Sequence, residues 1–304
     1  MTAFNRNPRL ITPPKEEEEI YPYRRAWRSV FIESGTVMGL MLVMFVGVNY
    51  LGLDVPLAYR PYVNIALALF PAILWLLFSR VPENDVLEPR RRLLTSFTVT
   101  ALVANAIGLP LLATVFQPDA WLPLQGTVNR IVGYMLTVGI LQEFLKYLVL
   151  RYIVFPDYYR VRTDAVAYGA ATAVAYAMVV NLAYVLSNPN AAADVVMIRV
   201  FATVAMHLIG SLVVAFGLTE TLFSDALSFF MPMMMALAAF LTGIAIAMRG
   251  LFMNATLGLS ISSQREIFGV IFVIIFYLAP LGVFFFLFSV TDQREQDKIM
   301  GQEI

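Results

Sequence analysis

Long apolar stretches of this chain contain a few side chains that could do acid–base chemistry. One stretch carries Gln142, Glu143 and Lys146 in the run GILQEFLKYLV, and a later stretch carries His207, the single histidine. A carboxylate and an imidazole are the groups that most often move protons in enzymes. An ionisable side chain at membrane depth costs about 2.5–3.5 kcal/mol on insertion scales, so each one is a candidate for function.

The spacing within the first of these stretches allows two interpretations. Glu143 and Lys146 are three residues apart and Gln142 and Lys146 are four apart, so either pair can meet on one helical face. If that face points into a helix bundle, the residues form a polar cluster that can serve a reaction. If it does not, Glu143 and Lys146 form a self-neutralising pair that reaches toward the membrane edge.

The other polar residues on the neighbouring stretches have structural as well as functional explanations. Asp164 follows Thr163 at the start of its stretch, which is typical of a helix N-cap. Asn181 and Tyr184 are three residues apart and favour hydrogen bonds between helices. Ser211 lies one turn after His207, and a single histidine at this depth is either a structural donor or part of a site.

The composition identifies the class of protein that must position these residues. Of 304 residues, 60% are hydrophobic and 14% are charged, and the mean hydropathy is +0.74. A soluble fold cannot hide so much apolar surface, which indicates a polytopic membrane protein. Cysteine is absent, so thiolate metal sites and cysteine nucleophiles are excluded. The net charge of zero gives no indication of nucleic acid binding, and we predict no cofactor.

Eight stretches are long and apolar enough to cross a membrane, which takes about 20 helical residues. Continuous apolar runs exclude the strands of a membrane barrel, which would alternate in polarity. We therefore predict an all-α bundle of about eight transmembrane helices. The predicted spans are 29–50, 61–79, 93–116, 128–150, 164–187, 195–218, 226–248 and 267–289.

The distribution of positive charge predicts the orientation in the membrane. With a cytoplasmic N-terminus, fifteen of the 21 Lys and Arg residues lie on the cytoplasmic side and five on the opposite side. We expect both termini in the cytoplasm, with polar tails at 1–28 and 290–304 and a transmembrane domain at 29–289. We expect the membrane to be the cytoplasmic membrane of a bacterium.

Two rows of small residues predict close contact between helices. Gly169, Ala173 and Ala177 place the fifth span near the centre of the bundle, and Gly35 and Gly39 form a GxxxG step on the first span. Small residues let helix backbones approach each other, and van der Waals contact then holds the helices together in lipid.

The order of polar residues on the fourth to sixth spans resembles the PrsW family of intramembrane proteases, relatives of the CAAX prenyl endopeptidases and Abi proteins. That family has Glu-Glu-x-x-Lys on one span, then a span with Asp, Tyr-Gly, Phe-x-x-x-Glu-Asn and Tyr, then a span with a central His. The resemblance implies that a glutamate activates water for peptide hydrolysis and that the histidine assists the polarised carbonyl. It covers about residues 128–218 and rests on Glu143, Lys146, Asp164, Tyr168, Gly169, Asn181, Tyr184 and His207.

The chain departs from the family pattern at three positions. The first glutamate of the pair is Gln142, the glutamate before Asn is Val180, and the Phe four residues earlier is Tyr176. Glutamine has no basic carboxylate, so it cannot take a proton from water. Glu143 points about 100° around the helix from position 142 and is not a direct substitute. The remaining acid and imidazole make a three-ligand metal site hard to assemble.

Three functions are compatible with these observations. The first is a divergent, catalytically impaired PrsW-like protein that binds a transmembrane partner as an accessory subunit of a membrane complex. The second is an active intramembrane protease that acts on a transmembrane substrate. The third is a transporter, or a pigment- or quinone-binding subunit with His207 as a single ligand. If the protein is an active protease, the catalytic residues are Glu143, His207 and Lys146, with polar support from Gln142, Asp164, Asn181, Tyr184 and Ser211.

Overall fold

A computed structural model of the chain describes residues 26–78, 87–159, 162–224, 227, 229–257 and 263–300. The described residues contain eight helices that are long and apolar enough to cross a membrane. The prediction of an all-α bundle of about eight transmembrane helices is therefore confirmed. The predicted N-terminal tail, 1–28, lies almost entirely outside the described residues, and the last helix continues to Met300.

Two of the eight helices are irregular, and one of them carries Glu143. The third, α3 (Arg91–Leu124), and the fourth, α4 (Thr127–Val154), contain π-helical turns, which often occur at functional sites. In α4 the π turn Met135–Gly139 directly precedes the α-helical segment Ile140–Val149. The other six helices are α1 (Ala26–Asn49), α2 (Arg60–Phe78), α5 (Arg162–Ser187), α6 (Ala193–Phe223), α7 (Phe230–Leu257) and α8 (Ser263–Met300).

The centre of the bundle is formed by α5 and α6. Within their most apolar stretches, 94% of the residues of α6 and 67% of those of α5 are buried, against 17% for α3 and 28% for α8. A Cβ added at Gly169 would lie 3.3 Å from the Ala215 Cβ, so the small residues of α5 do let α6 approach. The predicted central position of the fifth span is confirmed.

The two helices α4 and α7 touch backbone to backbone. A Cβ at Gly139 would lie 2.5 Å from the carbonyl oxygen of Ala239, and a Cβ at Gly243 would lie 2.7 Å from that of Ile131. Gly139 is one helical turn before Glu143, so this contact sets how closely Glu143 approaches α7.

The prediction that another helix packs closely against Gly35 and Gly39 is wrong for the described residues. A Cβ at either position would have nothing within 4 Å. The face of α1 that packs inward carries Val37, Met41 and Phe45, and larger apolar side chains fill that contact instead.

Gly139→Ala should destabilise the protein, because the new methyl group would meet backbone atoms of α7 that cannot move aside. Overpacking of this kind costs about 1–3 kcal/mol. Gly35→Ala is the matched control, since it adds the same methyl group in open space and removes a helix glycine at a gain of up to about 1 kcal/mol. Thermal unfolding in detergent measures both; equal melting temperatures for the two variants would contradict the α4–α7 contact.

Candidate functional site

The polar turn of α4 points into the bundle. Gln142 is 4% exposed, and Glu143 and Lys146 have no exposed surface. The Lys146 Nζ donates a hydrogen bond of 2.9 Å to Glu143 Oε1. Glu143 and Lys146 therefore form the ion pair that their spacing allows, and they form it in the interior instead of reaching toward the membrane edge.

The Glu143 carboxylate lies where α4, α6 and α7 meet. The hydroxyl of Thr242, on α7, donates a 3.2 Å hydrogen bond to Glu143 Oε1. On α6, a Cβ at Gly210 would lie 2.6 Å from the carboxyl carbon of Glu143, so any side chain at position 210 would displace the carboxylate. The glycine thus makes the space that the acid occupies.

Lys146 connects the carboxylate to the histidine-bearing helix. Besides its bond to Glu143, the ammonium group donates a 3.2 Å hydrogen bond to the backbone carbonyl of His207. The lysine, the glutamate and the histidine are thus neighbours across the α4–α6 contact. All three are fully buried.

The His207 ring lies against an aromatic side chain of α5. The ring centroids of His207 and Tyr176 are 4.8 Å apart and the rings are tilted by 39°. The Tyr176 hydroxyl lies over Gly108 in a π turn of α3, where a Cβ would collide with it. Tyr176 therefore depends on a glycine in the way that Glu143 depends on Gly210.

Several buried polar atoms of this cluster have no hydrogen-bond partner among the described residues. They are the second Glu143 oxygen, both nitrogens of His207, the Tyr176 hydroxyl and the Gln142 side-chain oxygen. Buried polar groups in proteins are nearly always hydrogen-bonded. These atoms are accordingly the ones at which water or the backbone of a bound segment would find donors and acceptors.

The antiparallel contact of α5 and α6 decides which of the other predicted residues join this cluster. Ser211 lies one turn after His207 on α6, and its hydroxyl is buried. The register between the two helices places Asn181 level with Thr203, which lies one turn before His207. Asn181 and Ser211 thus flank the histidine. Three contacts fix the register: Gly169 with Ser211, Tyr176 with His207, and Tyr184 with Arg199.

Two predicted residues lie away from Glu143. Tyr184 has the Arg199 guanidinium 3.9 Å above its ring, two turns from the level of His207. Asp164 lies in the first turn of α5, twelve residues or about 18 Å along the helix from Tyr176. Burial raises the pKa of Tyr159, in the loop before α5, and the charges of Tyr168 and Asp164 raise it further, so Asp164 acts on that loop.

Sequence reasoning missed Thr242 and Gly210 and treated Tyr176 only as a departure from a pattern. Thr242 is an isolated polar residue in the apolar run MALAAFLTGIAIAM, which is a weak signal by itself. Gly210 follows His207 by three residues, but its role depends on the side chain of another helix. These residues become apparent once the helices are placed against each other.

The site does not fit a metal ion. Among the described residues, no group of three or more His, Cys, Asp and Glu side chains is close enough to hold one. Catalytic zinc takes three protein ligands and a water, whereas this cluster offers Glu143 and His207. The Lys146 ammonium also lies where a cation bound to Glu143 would be repelled.

Glu143→Gln should destabilise the protein by about 3–5 kcal/mol, because it leaves the Lys146 ammonium buried without a counter-ion. The double variant Glu143→Gln/Lys146→Met removes both charges and should recover most of that loss. Thermal unfolding in lipid nanodiscs measures the difference. Asp54→Asn, which breaks the exposed pair with Arg60, is the control and should cost about 1 kcal/mol or less. A double variant as unstable as Glu143→Gln would contradict the ion pair.

Comparison with known families assigns most of the chain to one family. Residues 88–279 match the family described as PrsW family intramembrane metalloprotease. The match is more than half of the 304 residues, and it runs from α3 into α8, beyond the region 128–218 on which the resemblance rested. No curated protein and no solved structure matches the chain. The protein therefore belongs to the PrsW family of intramembrane proteases.

Proposed function

We propose that this protein is a catalytically impaired member of its family, which holds a transmembrane segment of a partner protein and serves as an accessory subunit of a membrane complex. The family assignment makes it an integral membrane protein with an intramembrane protease domain. The observation that carries the proposal is Gln142, which is buried where the family pattern has a glutamate, so that the one acid left in this turn is Glu143, engaged by Lys146 in a fully buried ion pair.

The ion pair opposes the use of Glu143 as a general base. A base that takes a proton from water becomes neutral, so the Lys146 ammonium loses its directly bonded counter-ion while the negative charge passes to the hydroxide. Complete loss of one partner from a buried ion pair costs about 3–5 kcal/mol, which is the upper limit of this penalty. A penalty of up to that size in the transition state slows a reaction by up to about 10²- to 10⁴-fold.

The neighbouring positions do not supply a second acid. Gln142 is buried beside Glu143 but has no carboxylate, and Val180, next to Asn181, is apolar. The family description names a metal, but the donors present here do not match a metal centre. The scaffold and its buried polar atoms remain suited to hydrogen-bonding the backbone of a membrane segment.

An active protease is the second candidate, and the arrangement of the unpartnered atoms favours it. Glu143 has one oxygen that accepts no hydrogen bond from the described residues, and the His207 nitrogens are free of protein partners among them. In this mechanism Glu143 Oε2 would activate water, while His207 or the Tyr176 hydroxyl would donate to the scissile carbonyl oxygen.

We further propose that the protein resides in the cytoplasmic membrane of a bacterium with both termini in the cytoplasm. The distribution of Lys and Arg supports this orientation. In that orientation Arg199 and Arg249 lie on the side opposite the cytoplasm.

Membranes that contain the wild-type protein should show the same peptide N-termini as membranes with Glu143→Gln or His207→Ala, because no cleavage depends on these residues. A membrane protein partner should co-isolate with the wild type at constant stoichiometry, and in smaller amount with His207→Ala, because that variant removes two of the buried polar atoms proposed to bind the partner's backbone. Quantitative mass spectrometry of N-termini and of mild-detergent isolates measures both.

Glu220→Gln is the matched control, since it removes a carboxylate that pairs with Arg162 near the C-terminal end of α6. Cleavage that is present in the wild type and Glu220→Gln but lost in Glu143→Gln and His207→Ala would overturn the proposal and establish the active protease.

A further inference from the structure

Two arginines lie near each other on α6 and α7, on the side of Thr203 that is away from His207. Arg199 lies on α6, and Arg249 lies on α7 directly after the apolar run that ends at Met248. The two guanidinium groups interact electrostatically, and like charges repel. Positive charge concentrated at one place in a membrane bundle therefore requires an explanation.

Neither arginine simply extends into water. The Arg249 Nη1 turns inward to the Thr203 hydroxyl at 3.5 Å, and Thr203 is fully buried. The Arg199 guanidinium lies over the Tyr184 ring, and its buried Nε has no hydrogen-bond partner among the described residues. Both side chains are partly buried, and the Arg199 Nε is a buried donor that has no partner among the described residues.

No carboxylate among the described residues forms an ion pair with Arg199 or Arg249. The exposed Asp119 acts electrostatically on both arginines but forms no salt bridge with either of them. Elsewhere in the bundle, charged residues pair directly, as Lys146 does with Glu143. The arginine pair therefore lacks the anion that its surroundings would be expected to provide.

We propose that Arg199 and Arg249 bind the phosphate group of an anionic lipid at the face predicted to be non-cytoplasmic. The planar guanidinium group donates two parallel hydrogen bonds to phosphate, and two such groups surround one anion. Tyr184 lines the site, as expected at the level of the lipid headgroups, where aromatic side chains are enriched.

The depth of the pair agrees with a lipid headgroup. The 31 residues of α6 are about 46 Å long, whereas the hydrocarbon core is about 30 Å thick. Arg199 is the seventh residue of this helix and lies about 9 Å from its start. If the excess length is shared between the two ends of the helix, the boundary between headgroups and acyl chains falls at about this depth. On α7, Arg249 lies 19 residues, or about 28 Å, from the start of the helix at Phe230, which is close to the thickness of the hydrocarbon core.

A lipid at this position would join the helices that surround Glu143. Arg199, Thr203 and His207 follow one another at intervals of four residues on one face of α6. On α7, Thr242 precedes Arg249 by seven residues, which is two turns. The phosphate would thus hold α6 and α7 together about 12 Å along α6 from His207, whether or not Glu143 catalyses a reaction.

The test compares the wild type with Arg199→Gln/Arg249→Gln. The control is Arg60→Gln, which removes a charge on the same predicted side from an arginine that bonds to Asp54 and to backbone carbonyls. Native mass spectrometry and thermal unfolding are recorded with phosphatidylglycerol, phosphatidylcholine or inorganic phosphate. Unfolding without added lipid, together with circular dichroism, establishes that each variant is folded.

We expect phosphatidylglycerol to bind the wild type and the control at least tenfold more tightly than Arg199→Gln/Arg249→Gln, and to raise their melting temperatures. Equal binding to all three proteins would overturn the proposal. Inorganic phosphate that stabilises as well as phosphatidylglycerol would show a small-anion site and overturn the lipid assignment. Binding of a single-span peptide with an acidic residue at its outer end, without binding of the lipid, would assign the arginines to a protein partner and overturn it as well.

Discussion

A buried ion pair imposes the main constraint on this bundle. Neither the Glu143 carboxylate nor the Lys146 ammonium reaches water, so each must be satisfied by protein groups. Thr242 and the His207 carbonyl supply the additional hydrogen bonds. Because these two residues lie on α7 and α6, the pair is stable only where three helices converge. The placement of the central helices and the chemistry of the site therefore depend on the same four groups.

Glycine makes that convergence sterically feasible. Gly210 leaves room for the carboxylate, and Gly139 and Gly243 let α4 and α7 meet through their backbones. Gly108 leaves room for the Tyr176 hydroxyl. In lipid, helix association relies on close packing and on polar contacts rather than on the hydrophobic effect. Here close packing and polar contacts act together, since the small residues allow the helices to approach and the ion pair adds hydrogen bonds between them.

The sequence alone predicts the helices and allows the Glu143–Lys146 pair, because apolar length and i,i+3 spacing are local properties, but it leaves open whether that pair faces the interior. It also predicts the central position of α5 from its row of small residues. Thr242, Gly210 and Tyr176 could not be assigned, since their roles depend on the register between helices. The same limit explains the wrong contact at Gly35 and Gly39, where a local motif does not reveal which face of α1 packs inward.

We infer that Glu143 serves as the counter-ion of Lys146, neither as a metal ligand nor as a base. A crystal structure grown in a lipid phase with zinc present, with anomalous data at the zinc edge, tests it most directly. We predict that the Lys146 Nζ remains within 4 Å of Glu143 Oε1 and that no anomalous peak lies at the carboxylate. A zinc peak bonded to Glu143 and His207, with the Lys146 ammonium displaced, would contradict the account.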